Sequence, residues 1–251
     1  MGDLSELLYR VDAVKFARER LGFHPDARQT EVLGRRLRRA LLNCTRQWGK
    51  STITAAKAVH RAYFEPESLT VVLTPSARQS GEFLRKASGF ARKLDIRPRG
   101  DGDNEISLLF PNGARIVGLP GSESTARGFS AVSLMIIDEA ARVSDELYKT
   151  LRPTTAVSGG DMLLMSTPCG KRGFFYEAWI SRTEEWERIS VPATQCARIP
   201  KAFLEEERAV MGDWWFRQEY LCEFVDTDEG LFSRELVESA LSDEVAPLFR
   251  P

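Results

Sequence analysis

The sequence is poor in the residues that build metal centres and covalent crosslinks. Its two histidines, His24 and His60, are too few for a histidine-based metal centre. The four cysteines are widely spaced and include no C-x-x-C pair. Reduced thiols are therefore expected, rather than a disulfide framework or a zinc site.

Long apolar runs and a strong net charge are also missing. No run approaches the roughly 18 apolar residues of a membrane span, and the N-terminus lacks the apolar stretch of a signal peptide. The formal net charge of -1 argues against a uniformly basic nucleic-acid coat, but it leaves room for a local basic stripe. Together these features predict a soluble intracellular protein without a membrane contact.

What is present is an alternation of strand and helix patterns in a chain of 251 residues. Helical spacing of apolar residues predicts helices over 4–21, 27–39, 50–64, 79–94, 174–181 and 201–224. Strands are predicted over 40–44, 69–74, 132–137, 162–166 and 186–191, and the apolar runs 69–74, 132–137 and 162–166 are expected to be buried. The turn Pro111-Asn112-Gly113 separates two shorter patterns, 105–110 and 114–119, and predicts a β-hairpin. The fold class is therefore α/β, with a mostly parallel central sheet, helices on both faces and an added hairpin.

A phosphate-binding loop is predicted between the first strand and the helix that follows it. Gly49-Lys50-Ser51 matches the G-K-[ST] core of a Walker A loop, although Cys44 stands where the motif has its first glycine. Backbone N–H groups at a helix N-terminus cradle phosphates, Lys50 reaches the β- and γ-phosphates, and the Ser51 hydroxyl can ligate Mg²⁺. The predicted ATP-binding residues of this loop are Thr45, Arg46, Gln47, Trp48, Gly49, Lys50, Ser51 and Thr52. The alternative is an ordinary surface turn.

Two further strands end in residues suited to the same chemistry. The apolar run 134–137 leads into Asp138 and Glu139, a Walker B pattern in which Asp138 holds the Mg²⁺ shell and Glu139 polarises the attacking water. The alternative is a strand that enters a helix cap. The run 162–165 leads into Ser166 and Thr167. This turn resembles the Ser/Thr-rich turn that helicases and terminases place there, which implies that it senses the γ-phosphate state and couples it to movement; the alternative is a polar turn ended by Pro168.

These motifs in this order resemble the ATPase domain of tailed-phage terminase large subunits. The loop carries the R-Q-x-G-K-[ST] form found in that family, and residues 216–224 match its F-R-Q-E-Y-x-x-E-F stretch. The resemblance covers nearly the whole chain and implies a P-loop fold of the ASCE type. It also implies a transition-state arginine, for which Arg46 in the loop and Arg127 in the R-G element are the candidates, and an adenine-pairing amide at Gln29. The alternatives are an exposed helical glutamine and a solvated loop arginine.

The resemblance further implies what the protein does and where. It implies ATP and Mg²⁺ as cofactors and hydrolysis that drives double-stranded DNA into a viral procapsid. The implied partners are the DNA, further copies of the chain in a ring on the capsid portal, and the terminase small subunit. The implied location is the host cytoplasm, with transient docking on the procapsid.

The resemblance also divides the chain. Residues 1–225 form the predicted ATPase domain, with N-terminal helices and the adenine motif in 1–40. Residues 226–251 form a linker, because they leave no room for the nuclease domain that follows in the family. Nuclease activity is therefore not expected. Two arginine-rich stretches, 35–39 and 97–100, either contact DNA or are solvated helix faces or loops.

Two rival functions fit part of the same pattern. A helicase-like remodelling ATPase shares the loop and the acidic pair, but it usually needs a second motor domain that a chain of this length cannot hold. A nucleotide-binding assembly subunit that does not turn over ATP is the second rival. The presence of both Lys50 and Glu139 argues against it.

Overall fold

The computed structural model describes residues 4–103, 106–121, 128–181 and 185–226. Among these residues, no helix is both long and apolar enough to cross a bilayer. The part of the predicted linker beyond Asp226 lies outside the described residues, as does Arg127.

Helices and strands alternate through the described chain. The helices are α1 (Leu4–Val11), α2 (Ala13–Glu19), α3 (Ala27–Gly34), α4 (Lys50–Phe64), α5 (Ala77–Lys93), α6 (Asp145–Leu151), α7 (Gly173–Ile180) and α8 (Lys201–Glu219). The strands are β1 (Arg39–Cys44), β2 (Leu69–Thr74), β3 (Ser107–Leu109), β4 (Arg115–Pro120), β5 (Leu134–Asp138), β6 (Asp161–Ser166) and β7 (Glu187–Val191). Short 3-10 turns lie at Ala140–Arg142, Arg152–Thr155 and Ala193–Gln195.

One sheet of seven strands joins these elements, in the order β3-β4-β2-β5-β6-β1-β7. Every neighbouring pair is parallel except β3 with β4, which is antiparallel. The predicted α/β class is therefore confirmed, and so is the hairpin. The hairpin was expected as an addition to the sheet, but its second strand, β4, also pairs with β2 and so belongs to the parallel sheet.

The core lies on both faces of this sheet because successive strand residues point to opposite sides. Within β1, Ala40, Leu42 and Cys44 pack on the face covered by α2 to α5, whereas Leu41 packs on the face covered by α6 and α7. Strands β1, β2, β5 and β6 are buried along almost their whole length. That burial explains why their sequences are near-continuous apolar runs.

The N-terminal helix prediction was wrong in its bounds. The helix expected over 4–21 is two helices, because the side chain of Asp12 accepts a hydrogen bond from the Lys15 amide and begins α2 as a cap. The helix expected over 27–39 ends at Gly34, where Arg35 is already extended. Residues 35–38 connect α3 to β1, and Leu37 in this short connection is fully buried in the core.

The C-terminal helix also differs from its prediction. It ends at Glu219 rather than at residue 224, and Gly212 inside it has a φ of 79°, which breaks the helical path. A single residue with positive φ cannot continue an α-helix, and glycine takes that conformation without a Cβ clash. Helix α6 was not predicted at all; Ser144 caps it by accepting a hydrogen bond from the Leu147 amide.

Candidate active site

The segment between β1 and α4 forms a tight loop at the carboxyl edge of the sheet. Gly49 is the N-cap of α4, with a φ of 97°, and its carbonyl accepts hydrogen bonds from the amides of Thr52 and Ile53. Glycine takes this left-handed conformation readily, which an L residue does not. The helix therefore begins immediately after the glycine, and its first amides face outward as a site for anions.

Lys50 lies folded across the inside of this loop. Its Nζ donates to the carbonyl of Cys44 at 3.0 Å, and only 7% of the residue is exposed. Cys44, the departure from the Walker A pattern, is the last residue of β1, and its side chain is fully buried in the core. A strand residue packed in the core can stand at this position because the turn itself begins only after it.

Asp138 and Ser51 meet across the cleft, as the sequence predicts. The Ser51 hydroxyl donates to Asp138 Oδ2 at 2.9 Å, and the Glu139 amide donates to Oδ1 at 2.9 Å. Burial raises the pKa of the Asp138 carboxyl, and the neighbouring Glu139 raises it further. Burial and the neighbouring carboxylate thus disfavour the ionised form of Asp138, and a bound cation would stabilise it.

Oxygen donors of this kind suit Mg²⁺. A buried carboxylate and a hydroxyl are hard ligands, and Mg²⁺ in phosphate sites is usually held by one or two protein groups with substrate phosphates and water. The described residues contain no cluster of three or more His, Cys, Asp or Glu side chains that could hold a metal by themselves. Ser51 and Asp138 therefore fit a Mg²⁺ that arrives with a nucleotide.

Glu139 stands at the end of β5 in a conformation that is rare for its type. Its φ of 53° is left-handed, which costs a non-glycine residue about 1 kcal/mol or more. Its Oε2 accepts from Arg142 Nη1 at 3.0 Å. The same Arg142 atom donates to Thr167 Oγ1 at 3.2 Å, so one guanidinium joins the acidic pair to the turn after β6.

Glu219, at the end of α8, links this arginine to the phosphate loop. Its Oε1 accepts from Arg142 Nη2 at 3.4 Å, and its Oε2 accepts from Arg46 Nε at 2.6 Å. Its backbone carbonyl accepts from the Thr45 hydroxyl at 3.1 Å. The carboxylate is about 11% exposed, so two arginines share one nearly buried anion. In this structure, Glu219 is therefore the ion-pair partner of Arg46.

The turn after β6 touches the segment behind Glu139 at two points. Ser166 Oγ accepts from the Ala141 amide at 3.2 Å, and Thr167 meets Arg142 as described. Both residues are fully buried. The predicted coupling pair thus contacts the acidic strand's end rather than the open cleft.

Gln29 lies against the phosphate loop from below. Its Nε2 donates to the Trp48 carbonyl at 2.9 Å, and its Oε1 accepts from the Asp26 amide at 3.1 Å in a capping box. The residue is 1% exposed, so it is not the exposed helical glutamine that was the alternative. The amide holds the loop in place here, and pairing with adenine stays a prediction.

Trp48 takes part in the loop through its backbone. Its side chain is fully buried in the core, and its indole Nε1 has no hydrogen-bond partner within the described residues. Gln47, in contrast, lines the open cleft and has a φ of 63°. All the predicted binding residues of the loop therefore line the cleft except Trp48, whose side chain anchors the loop in the core.

The cleft beside the loop has a volume of about 600 Å³, which is enough for a nucleotide. Thr45, Arg46, Gly49, Lys50, Ser51, Thr52 and Glu139 line it together with Gln47, as predicted. Lys86 and Arg198 also line it and were missed, because they come from distant segments with no motif around them. Arg142 was missed as well, although its position three residues after Glu139 was a usable signal.

The family model that matches this chain is that of the terminase large subunit, T4likevirus-type, N-terminal, over residues 41–239. Among curated proteins, the chain is 25% identical over 250 residues to the terminase large subunit of Thermus virus P23-45, covering 86% of this chain and 52% of that protein. The chain thus spans about half the length of the curated relatives it matches.

Solved structures show the same fold. The large terminase ATPase domain of Thermus phage P74-26 superposes with a TM-score of 0.73 at 22% identity, covering 84% of this chain and 98% of that one. The large terminase of bacteriophage D6E in complex with ATP-gamma-S superposes with a TM-score of 0.60 at 13% identity, covering 86% and 52%. At these identities the likeness identifies the fold.

Proposed function

Because the chain belongs to the family of terminase large-subunit N-terminal regions, we propose that it hydrolyses ATP to drive double-stranded viral DNA into a procapsid. One observation carries the proposal. Lys50 and Ser51 at the start of α4 line one cleft with Glu139 at the end of β5, and Ser51 donates a hydrogen bond to the neighbouring Asp138. This pairing of an anion site with an acidic pair is what phosphoryl transfer to water requires.

The proposed roles follow from where each group stands. The amides after Gly49 and the Lys50 ammonium hold the β- and γ-phosphates, so the terminal phosphorus is kept near the acidic edge. To do so, Lys50 exchanges its bond to the Cys44 carbonyl for one to phosphate oxygen. Glu139 orients the attacking water as a general base. A bound Mg²⁺, held by Ser51 and Asp138, would neutralise charge on the phosphate oxygens.

The transition state needs added positive charge near the γ-phosphoryl oxygens. Arg46 lines the cleft and is the candidate from within the subunit, once phosphate replaces Glu219 as its partner. Arg127 is the candidate from a neighbouring subunit. It lies outside the described residues, so its role rests on the sequence alone.

The working assembly is proposed to be a ring on the capsid portal, in contact with the terminase small subunit, in the host cytoplasm. Residues 1–225 would form the motor domain and 226–251 a linker. Asp226, the first residue of that linker, is still bonded to the domain through Lys171 at 3.0 Å. Turnover by each subunit would move the DNA that the ring encloses.

Glu139→Gln tests the proposal, because glutamine keeps the size and the bond to Arg142 but cannot accept the water's proton. We expect steady-state ATP hydrolysis to fall about 100-fold or more while the ATP dissociation constant changes little. The matched control is Glu146→Gln, on the exposed face of α6, which should keep the parent's activity. A parent that binds ATP but shows no turnover, alone or assembled, would contradict the proposal and favour a nucleotide-binding assembly subunit.

The family match favours packaging over the alternative of a helicase-like remodelling ATPase, which would use the same cleft. The ATPase assay does not separate it from packaging. Strand separation on a forked duplex does: the packaging motor should leave both strands paired while it hydrolyses ATP.

A further inference from the structure

A basic groove lies along the amino edge of the sheet, opposite the ATP cleft. It consists of two clefts, of about 400 and 500 Å³, which meet at Gly159 and Gly160 because both residues line both clefts. The walls come from the second half of α4, from the segment before β1 and from the segment around α6. We call it the amino-edge groove. It shares no lining residue with the ATP cleft.

The charge of the amino-edge groove is strongly one-sided. Nine lysine or arginine side chains line it, against two carboxylates, Glu65 and Asp161. Some of the nine are neutralised: Arg39 and Arg152 share Glu185, for example. Four others are exposed and form no ion pair with any described residue, namely Arg10, Arg36, Arg38 and Lys149. In a chain whose net charge is -1, this edge therefore concentrates positive charge.

The lining indicates what kind of polyanion would fit. No Phe, Tyr or Trp side chain lines the groove in the described part of the chain, so it offers no platform on which unpaired bases could stack. Gly159 lines both clefts, and a Cβ atom built on it would meet no other heavy atom within 4 Å, so the groove is open at this residue. Long basic side chains around an open floor suit regularly spaced phosphates, as a duplex presents them.

We propose that the amino-edge groove binds the phosphate backbone of double-stranded DNA, an inference that rests on the proposed packaging function. Strand β1 begins at Arg39 in the groove and ends at Cys44, directly before the phosphate loop. Strand β5 begins next to Ser133 of the groove and ends at Asp138. The same strands thus connect bound DNA phosphates at one edge of the sheet with bound nucleotide at the other.

The test is the binding of a labelled 30-base-pair duplex of arbitrary sequence to the full chain, measured by fluorescence anisotropy at several salt concentrations. The groove variant is Arg36→Glu with Arg38→Glu. The matched control is Arg97→Glu with Arg99→Glu, which makes the same charge change on exposed residues of the other arginine-rich stretch. Circular dichroism and the melting temperature check that each variant is folded.

We expect the groove variant to bind about tenfold more weakly or worse, and the slope of log affinity against log salt to fall by about two. The control should lose much less. A parent that fails to bind the duplex at low salt would overturn the proposal, as would equal losses in both variants, since affinity would then follow net charge alone. Unchanged binding by the groove variant would also overturn it and would point to an acidic protein surface as the partner.

ATP hydrolysis by the same samples, without DNA, keeps this test separate from that of the proposed function. The groove variant should hydrolyse ATP like the parent, because neither changed residue lines the ATP cleft. A parent with ATPase activity and no duplex binding would defeat the groove alone. A parent that binds duplex without ATPase activity would leave the groove standing and defeat the motor.

Discussion

At the scale of single residues, the phosphate loop depends on a glycine that no other residue replaces without strain. Gly49 has a φ of 97°, and a Cβ built on it would lie 3.0 Å from Gln29 Nε2, the atom that donates to the Trp48 carbonyl. Any side chain there meets both an unfavourable backbone conformation and the amide that holds the loop. The cost of the conformation is about 1 kcal/mol.

Gly49→Ala should therefore lower the free energy of unfolding by about 1 kcal/mol and weaken nucleotide binding by about tenfold. The control is Gly81→Ala in α5, where a new Cβ meets nothing within 4 Å, and which should be neutral or stabilising. Urea denaturation and nucleotide titration of both variants measure the two effects. Unimpaired nucleotide binding by Gly49→Ala would show that the loop does not need this glycine.

Asp138 carries a stability cost that depends on pH. Because burial raises its pKa, the folded chain holds the proton more tightly than the unfolded chain does. That stabilisation is complete below the carboxyl's ordinary pKa of 3.8, and it is lost as the pH rises through the raised value. Above that raised pKa, and without a cation, the ionised carboxylate is destabilising.

Asp138→Asn should accordingly stabilise the nucleotide-free chain, and the gain over the parent should be larger at pH 8 than at pH 4. The same change should abolish hydrolysis, because it removes a charge that Mg²⁺ requires. Urea denaturation in EDTA at the two pH values is the measurement, with the exposed Asp103→Asn as control. A variant less stable than the parent at pH 8 would refute the burial argument.

At the scale of elements, Arg142 holds three parts of the sheet's carboxyl edge together. It bonds to Glu139 after β5, to Thr167 after β6 and to Glu219 at the end of α8. Glu219 in turn bonds to Arg46, so a chain of alternating charges runs from the acidic pair to the phosphate loop. A rearrangement at the γ-phosphate would thereby reach α8.

Arg142→Ala should reduce kcat by about 10-fold to 100-fold with little change in nucleotide affinity, since Arg142 lines the cleft but bonds to Glu139, Thr167 and Glu219 rather than to the phosphate loop. Hydrogen exchange of α8 should rise in the same variant, because Glu219 loses one of its two partners. Arg85→Ala, which breaks an exposed ion pair with Glu82 on α5, is the control. Normal kcat with raised exchange would mean that the contact is structural only.

At the scale of the whole molecule, Arg127 is proposed to act on the nucleotide of a neighbouring subunit, so its role is tested in an assembly. Arg127→Ala should leave nucleotide affinity nearly intact yet cut ATP hydrolysis by orders of magnitude under conditions where the parent assembles. The measurement is turnover per subunit as protein concentration rises, with Arg92→Ala on α5 as control. Equal turnover of variant and parent in the assembled state would exclude a role for Arg127 in a neighbour's site.

The fold class and the core of the candidate site follow from local patterns in the sequence. Apolar runs that end in Cys44, Asp138 and Ser166 each specify a buried strand followed by functional residues. Parallel strands present their carboxyl ends at one edge, so the three motifs had to meet there. These signals are local: each lies within a few consecutive residues, where period and turn chemistry act.

Tertiary structure alone decided which charges face one another. Arg46 and Glu219 are 173 positions apart, and Arg142 and Glu219 are 77 apart, so no local pattern brings them together. The same holds for the amino-edge groove, whose arginines come from separate segments that only the sheet's strand order makes neighbours. Helix ends were missed because the sequence pattern did not reveal that Leu37 is buried in the core or that Gly212 takes a positive φ.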